Sequence, residues 1–213
     1  PSFVLKKELL AEPFNRITCS FYRYVTIEDA LDLRDTLYKE WNRLNIFGRV
    51  YISSEGINAQ VSCPEQNWDV FINSINSYDS FRDIPVKCAV KDGKSFYKLV
   101  IKVKNEIVAY KVSDEEYDMN IVGNHLSAKE FNDKLEKENA IAVDMRNYYE
   151  SEVGMFEEAI IPDVDTSREL LPTVKKLLNG RESDPILLYC TGGIRCEKAS
   201  SYLIKNGFKS IGQ

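Results

Sequence analysis

One stretch, Pro185 to Gly207, limits what this chain can become. Ile186, Leu187, Leu188 and Tyr189 form a short apolar run behind a proline, the pattern of a central buried strand. Cys190 closes the run. Thr191-Gly192-Gly193-Ile194 then predicts a tight turn that only a glycine-rich backbone tolerates. After Arg195 the pattern is helical, with Ala199, Tyr202 and Leu203 on one face and Asn206-Gly207 as the stop.

The chemistry follows from that order of elements. A cysteine at the end of a strand, facing a loop and a helix N-terminus, meets backbone N–H groups and the positive end of a dipole. Both favour thiolate over thiol, and Arg195 adds a full charge. The loop Cys190–Cys196 therefore reads as an anion cradle with a nucleophile, Cys190, at its floor. Arg195 would close the cradle and pair with a bound anion. Cys190 and Arg195 enclose four residues, one fewer than the loops that cysteine phosphatases wrap around a phosphoryl group. The smaller ring suits a smaller terminal atom, such as the outer sulfur of a persulfide, and ranks sulfur chemistry ahead of phosphatase chemistry. Cys196 either starts the helix or serves as a resolving thiol for Cys190.

Composition excludes several alternatives. No run approaches the ~18–20 apolar residues of a membrane span, and the first residues lack the basic-then-apolar pattern of a secretion signal. The five cysteines, Cys19, Cys63, Cys88, Cys190 and Cys196, are odd in number and contain no CxxC pair. That usage predicts a reducing cytoplasm and argues against a disulfide scaffold or structural zinc. With one histidine, His125, a His-rich metal site is excluded. No metal site, P-loop or dinucleotide fingerprint is visible, so no metal or organic cofactor is predicted. The net charge of -5 does not announce a nucleic-acid binder, yet Phe81 to Lys111 holds eight basic and three acidic residues, a local +5. That cluster is either a solvated strand face or a phosphate-contacting surface.

Periodicity divides the chain. Strands are predicted at Ile17–Val25, Arg49–Ser53, Ala59–Ser62 and Val86–Val90, with helices at Ile27–Leu44, capped by Thr26, and from Pro64 through Ile75. The order βαββαβ is that of a ferredoxin-like α+β sandwich. Two further short strands are expected between Phe96 and Lys111; in the first, Lys98, Lys102 and Lys104 point away from Leu99, Ile101 and Val103. Glu55-Gly56-Ile57-Asn58 fits a tight turn and an RNA-contacting loop equally. The N-terminal aromatic stripes and Tyr189 read as core. Residues 1–112 form the first predicted domain, the acidic, aperiodic 113–124 a linker, and 125–213 a second domain. There a capping box at Ser127 and Glu130 opens a helix to Glu138. A strand, Ala140–Met145, carries Asp144. A short helix at Tyr148–Val153, a short strand at Ala159–Ile161 and a helix at Arg168–Leu178 precede the Pro185 strand. Strands alternating with helices indicate a parallel α/β sheet whose site lies beyond the strands' C-terminal ends, where Asp144 and Cys190 both fall. Asp144 and Arg146 are either a structural ion pair or proton-transfer groups.

Asp144-Met145-Arg146, Glu150, Gly154 and Ala159-Ile160, followed by Cys190-Thr191-Gly192-Gly193-Ile194-Arg195, resemble the rhodanese sulfurtransferases, whose loop cysteine carries a persulfide. More closely, Cys190 to Ala199 (CTGGIRCEKA), Asp144 to Glu150 and Glu55 to Asn58 (EGIN) are similar to the rhodanese-domain tRNA uridine hydroxylases, over nearly the whole chain and including a ferredoxin-like (acylphosphatase-like) first domain. The resemblance implies oxygen-dependent conversion of the wobble uridine of tRNA to 5-hydroxyuridine, with Cys190 as catalytic cysteine, molecular oxygen as co-substrate and tRNA as partner. The Lys98, Lys102 and Lys104 strand would then contact the RNA. Met155 stands where that family usually has histidine, and Glu158 where generic rhodaneses often have glycine; neither lies in the loop. The chain ends inside the next expected strand, so the rhodanese-like domain is expected to be incomplete at its C-terminus. A sulfurtransferase fed by a sulfur-donor protein is the alternative reading. An RNA-binding or sulfur-sensing module without turnover is a third.

Overall fold

The computed structural model describes residues 2–90 and 94–213. Lys91 and Asp92 of the basic segment lie outside the described residues. The chain divides into two units, Pro1–Ile107 and Val108–Gln213, each with its own apolar core.

The first unit opens with a helix that periodicity did not announce, α1 (Ser2–Ala11). Then follow β1 (Arg16–Tyr24), α2 (Ala30–Arg43), β2 (Phe47–Ser53), β3 (Gly56–Pro64), α3 (Trp68–Asn76), β4 (Lys87–Cys88) and β5 (Leu99–Val103). The strands form one sheet in the order β4-β1-β3-β2-β5, antiparallel except that β5 runs parallel to β2. The βαββαβ core is thus present, with β5 added at its edge. Leu37, Trp41, Phe71 and Ile75 of the helices pack on Phe21, Val50, Ile52, Ala59 and Val61 of the strands in one core.

Several boundaries move for local reasons. Helix α2 starts at Ala30, not Ile27, because the Asp29 carboxylate accepts from the N–H groups of Leu31 and Asp32 and takes the cap from Thr26. Pro64 ends β3 instead of opening α3. Only one strand forms between Phe96 and Lys111, since the chain leaves β5 at Val103 and runs irregularly afterwards. Of Glu55–Asn58, Gly56 to Asn58 already belong to β3. Gly56 has φ +146, and a Cβ there would lie 2.0 Å from the Arg23 carbonyl oxygen. Glu55 itself accepts from the Ile107 N–H at 2.7 Å, and the segment forms the tight turn between β2 and β3.

The second unit holds α4 (Ala128–Lys137), β6 (Ile141–Asp144), α5 (Tyr148–Ser151), α6 (Ser167–Leu177), β7 (Pro185–Tyr189), α7 (Ile194–Lys205) and β8 (Ser210–Gly212). Its sheet is parallel, in the order β6-β7-β8, with Ile160 bridging to Val143 where a short strand was predicted. The capping box of Ser127 and Glu130 forms as expected. Segment 113–124, predicted as a linker, lies against α7: Asp118 N–H donates to Ser201 Oγ at 2.7 Å and Gly123 N–H to Ser200 Oγ at 2.9 Å. The acidic, aperiodic sequence of the segment carries no signal of these contacts. Among the described residues no helix is long and apolar enough to cross a membrane.

Candidate active site

The site is built where β7 hands over to α7. Ile186, Leu187 and Leu188 are buried and anchor the strand, which ends at Tyr189. Cys190 follows at its C-terminal end, half-buried. The turn closes on Gly193, whose φ of +96 places it where side chains are strained. Gly192 differs: a Cβ there would meet nothing within 4 Å, so the glycine pair is not doubly required.

The Cys190 sulfur lies among donors. Gly193 N–H donates to Sγ at 3.0 Å. The Cys196 thiol donates to it as the largest influence, the Arg195 charge and the Cys196 amide add to it, and together they outweigh burial. The Cys190 thiol is brought down from 9.0 to about 5. Burial pushes the Cys19 and Cys63 thiols the other way, up to about 12. One cysteine of this set is therefore a thiolate near neutral pH, held in a cradle of amides. Cys196 is 2% exposed in the first turn of α7. Burial, and then its bond to Cys190, push its own thiol well above the ordinary value.

Arg195 has an acidic partner within the chain. Its guanidinium grips Glu150 in bidentate fashion, Nη1 to Oε2 at 2.9 Å and Nη2 to Oε1 at 3.1 Å. Thr191 Oγ1 donates to the same carboxylate at 2.7 Å. The anion that Arg195 pairs with is the chain's own Glu150. Hydrogen bonding from Arg195, which exceeds the opposing effect of burial, holds that carboxyl down to about 2. Glu150 was visible in the sequence only as part of a motif. The available signal was its spacing from Asn147, with which it forms a capping box at the start of α5. Tyr110 was missed altogether: it is fully buried, and its hydroxyl donates to the Arg195 carbonyl at 3.1 Å.

Asp144 and Arg146 form an ion pair at the end of β6, Nη2 to Oδ2 at 2.8 Å. The fully buried Asp144 also accepts from Ser151 Oγ at 2.9 Å and from the Tyr189 hydroxyl at 2.8 Å. Its oxygens are thereby saturated, and the pair positions α5 and β7. Tyr189 is half-buried, with its ring 4.8 Å from Phe156. His125 is exposed and bonds Glu197 at 2.7 Å. Lys98, Lys102 and Lys104 are all exposed, in the first unit. Among the described residues no group of three or more His, Cys, Asp or Glu side chains is placed to hold a metal ion.

A parallel sheet with a cysteine-bearing amide cradle after its central strand defines a rhodanese-like domain, and residues 127–212 match the rhodanese-like domain family. Residues 16–107 match the UPF0176 acylphosphatase-like domain. The chain belongs to the family that joins these two domains, whose curated relatives carry the name tRNA uridine(34) hydroxylase. The relative from Leptospira interrogans serogroup Icterohaemorrhagiae serovar Lai is 53% identical over 211 residues, 99% of this chain and 58% of the relative. Those from Photorhabdus laumondii and Escherichia fergusonii are each 46% identical over 209 residues, covering 97% of this chain and 59% and 60% of their own lengths. The chain thus spans less than two thirds of these relatives. Two solved structures align more loosely: the BLUF protein BlrB in its dark state (TM-score 0.34, 13% identity, 46% of this chain and 80% of that one) and full-length HypF in a phosphate- and nucleotide-bound form (TM-score 0.33, 18% identity, 43% and 12%).

Proposed function

We propose that this chain carries the working parts of a tRNA-modifying enzyme that hydroxylates the wobble uridine to 5-hydroxyuridine, with Cys190 as the acting thiolate, tRNA as substrate and molecular oxygen as co-substrate. The observation that carries the reading is the Cys190 sulfur, brought down to about 5 and bonded by the Gly193 amide, in a chain whose relatives are named for that reaction. A thiolate is a competent nucleophile toward an electrophilic ring carbon of a pyrimidine. Glu150 and Thr191 keep the Arg195 guanidinium beside the loop, where its charge favours an anionic sulfur. Lys98, Lys102 and Lys104, exposed on the first unit, supply phosphate contacts. The reaction belongs in the cytoplasm, where tRNA is matured and thiols stay reduced.

A second reading, a sulfurtransferase that takes sulfane sulfur from a donor protein onto Cys190, draws on the same cradle. The four-residue loop suits a persulfide. Nucleoside mass spectrometry of tRNA separates the two. A strain lacking the gene should regain 5-hydroxyuridine with the wild-type protein and not with Cys190→Ser. Full restoration by Cys190→Ser defeats the hydroxylase reading, and thiocyanate formation from thiosulfate and cyanide without any 5-hydroxyuridine favours the second.

A further inference from the structure

Helices α2 and α3 pack on one face of the first unit's sheet; on the other face Arg16 and Ser62, at one end, are buried, while Arg49, Gln60, Lys87 and Lys102 are exposed. Strand alternation sends Cys19, Phe21, Val50, Ile52, Ala59, Val61 and Ile101 into that core. The residues between them point to the other face, and the register aligns them in rows. One row runs Tyr22, Asn58, Tyr51, Lys102 across β1, β3, β2 and β5. The next runs Lys87, Ser20, Gln60, Arg49, Val100 across β4, β1, β3, β2 and β5. Aromatic residues of the N-terminal strands thus divide: Phe21 is core, whereas Tyr22, Tyr24 and Tyr51 are half-buried on the outer face.

The composition of these two rows is selective. They contain two tyrosines, two amides, of which Asn58 Nδ2 already donates to the Ile107 carbonyl at 3.4 Å, and three cationic side chains, and no carboxylate, within a chain of net charge -5. Arg49, Gln60, Lys87 and Lys102 are exposed. Lys104 Nζ stands 5.9 Å from the centre of the Tyr51 ring, and Tyr24 sits edge-on to Tyr22 with centroids 6.5 Å apart. Tyr22 and Tyr51 lie two strands apart, roughly 10 Å, a gap that an unstacked strand bridges between bases. Aromatic rings on a sheet, flanked by amides and cations, are what single-stranded nucleic acid needs: a stacking surface for bases, edge contacts and charge for phosphates. A duplex offers no free base faces to such rings.

We propose that this outer sheet face, centred on Tyr22 and Tyr51 with Arg49 and Lys102 beside them, binds unpaired nucleotides of an RNA. The proposal rests on reading the chain as acting on tRNA, and it names the surface and the single-stranded segment involved. It gives the tyrosines, rather than the lysines alone, the task of distinguishing a looped strand from a helix.

The test measures equilibrium binding of the 213-residue chain to an anticodon stem-loop RNA and to a blunt RNA duplex, across a range of salt. Tyr22→Leu with Tyr51→Leu should weaken stem-loop binding by about tenfold for each ring lost and leave duplex binding unchanged. Arg49→Gln with Lys102→Gln should flatten the salt dependence for both RNAs. Unaltered stem-loop affinity in the tyrosine pair, or equal loss for loop and duplex, overturns the proposal. So does a self-association of the wild type that the tyrosine variants abolish without change in RNA binding. Should the variants fail to fold, 5-iodouridine in the loop, photocrosslinked to the wild type, decides instead: peptides bearing Tyr22, Tyr24 or Tyr51 support the face, and adducts confined to other peptides refute it. Because binding is read without turnover, absence of 5-hydroxyuridine in the tRNA assay would sink the hydroxylase reading and leave this result standing.

Discussion

At the scale of single residues, the protein separates the Cys190 sulfur from those of Cys19, Cys63 and Cys196. Cys190 is brought to about 5 chiefly by the Cys196 thiol, whereas Cys19 and Cys63 are pushed up to about 12 by burial. The alkylation rate of Cys190 by iodoacetamide should therefore be flat above about pH 6 and fall through a midpoint near 5 as pH drops. Cys196→Ala should move that midpoint upward, because a donor to the thiolate is lost; Cys196→Ser, which keeps an O–H donor, should move it less. A midpoint that ignores Cys196→Ala would show that the amides and Arg195 suffice. A thiol lowered from 9.0 to about 5 adds stability in full above 9, progressively less between 9 and 5, and none below about 5. Much of this was legible in the sequence. A cysteine, two glycines and an arginine in a strand–loop–helix pattern define the cradle. What was not legible is that Arg195 spends its fork on Glu150, since the two are brought together only by the packing of α5 on the loop.

At the scale of elements, local chemistry decides where each begins and turns. The Asp29 carboxylate starts α2. Asp29→Ala should cost about 1 kcal/mol of stability, read as a lowered denaturant midpoint of the first unit. The hairpin between β2 and β3 depends on Gly56. A Cβ at 2.0 Å from the Arg23 carbonyl oxygen, at φ +146, cannot be accommodated without displacing β1. Gly56→Ala should cost ~1–3 kcal/mol or more, while Gly192→Ala, whose added methyl meets nothing within 4 Å, should fold as the wild type does. Equal melting of the two variants would refute this account. Periodicity found the long helices and most strands because burial writes its spacing into the chain. It placed caps less well, since Thr26 and Asp29 are both good acceptors and only the backbone path selects one.

At the scale of the whole chain, two units carry separate cores. Both tryptophans, Trp41 and Trp68, belong to the first. Leu188→Ala, in the core of the second unit, should lower the unfolding midpoint seen by far-UV circular dichroism, with a cost of ~2–5 kcal/mol. The tryptophan emission transition should stay in place. Leu37→Ala, in the first core, should shift the emission transition instead. Coincident shifts of both signals in both variants would mean that the units unfold as one.

The order of residues alone determined the two-layer α+β sandwich, the parallel sheet and the place of Cys190 at the end of a strand, because hydrophobic period, glycine and caps act over a few neighbours. Tertiary structure decided the rest. It set Glu150 against Arg195, tied segment 113–124 to α7, and aligned Tyr22 with Tyr51 across three strands. Those relations join residues that the chain keeps far apart, and only strand register and packing bring them within reach.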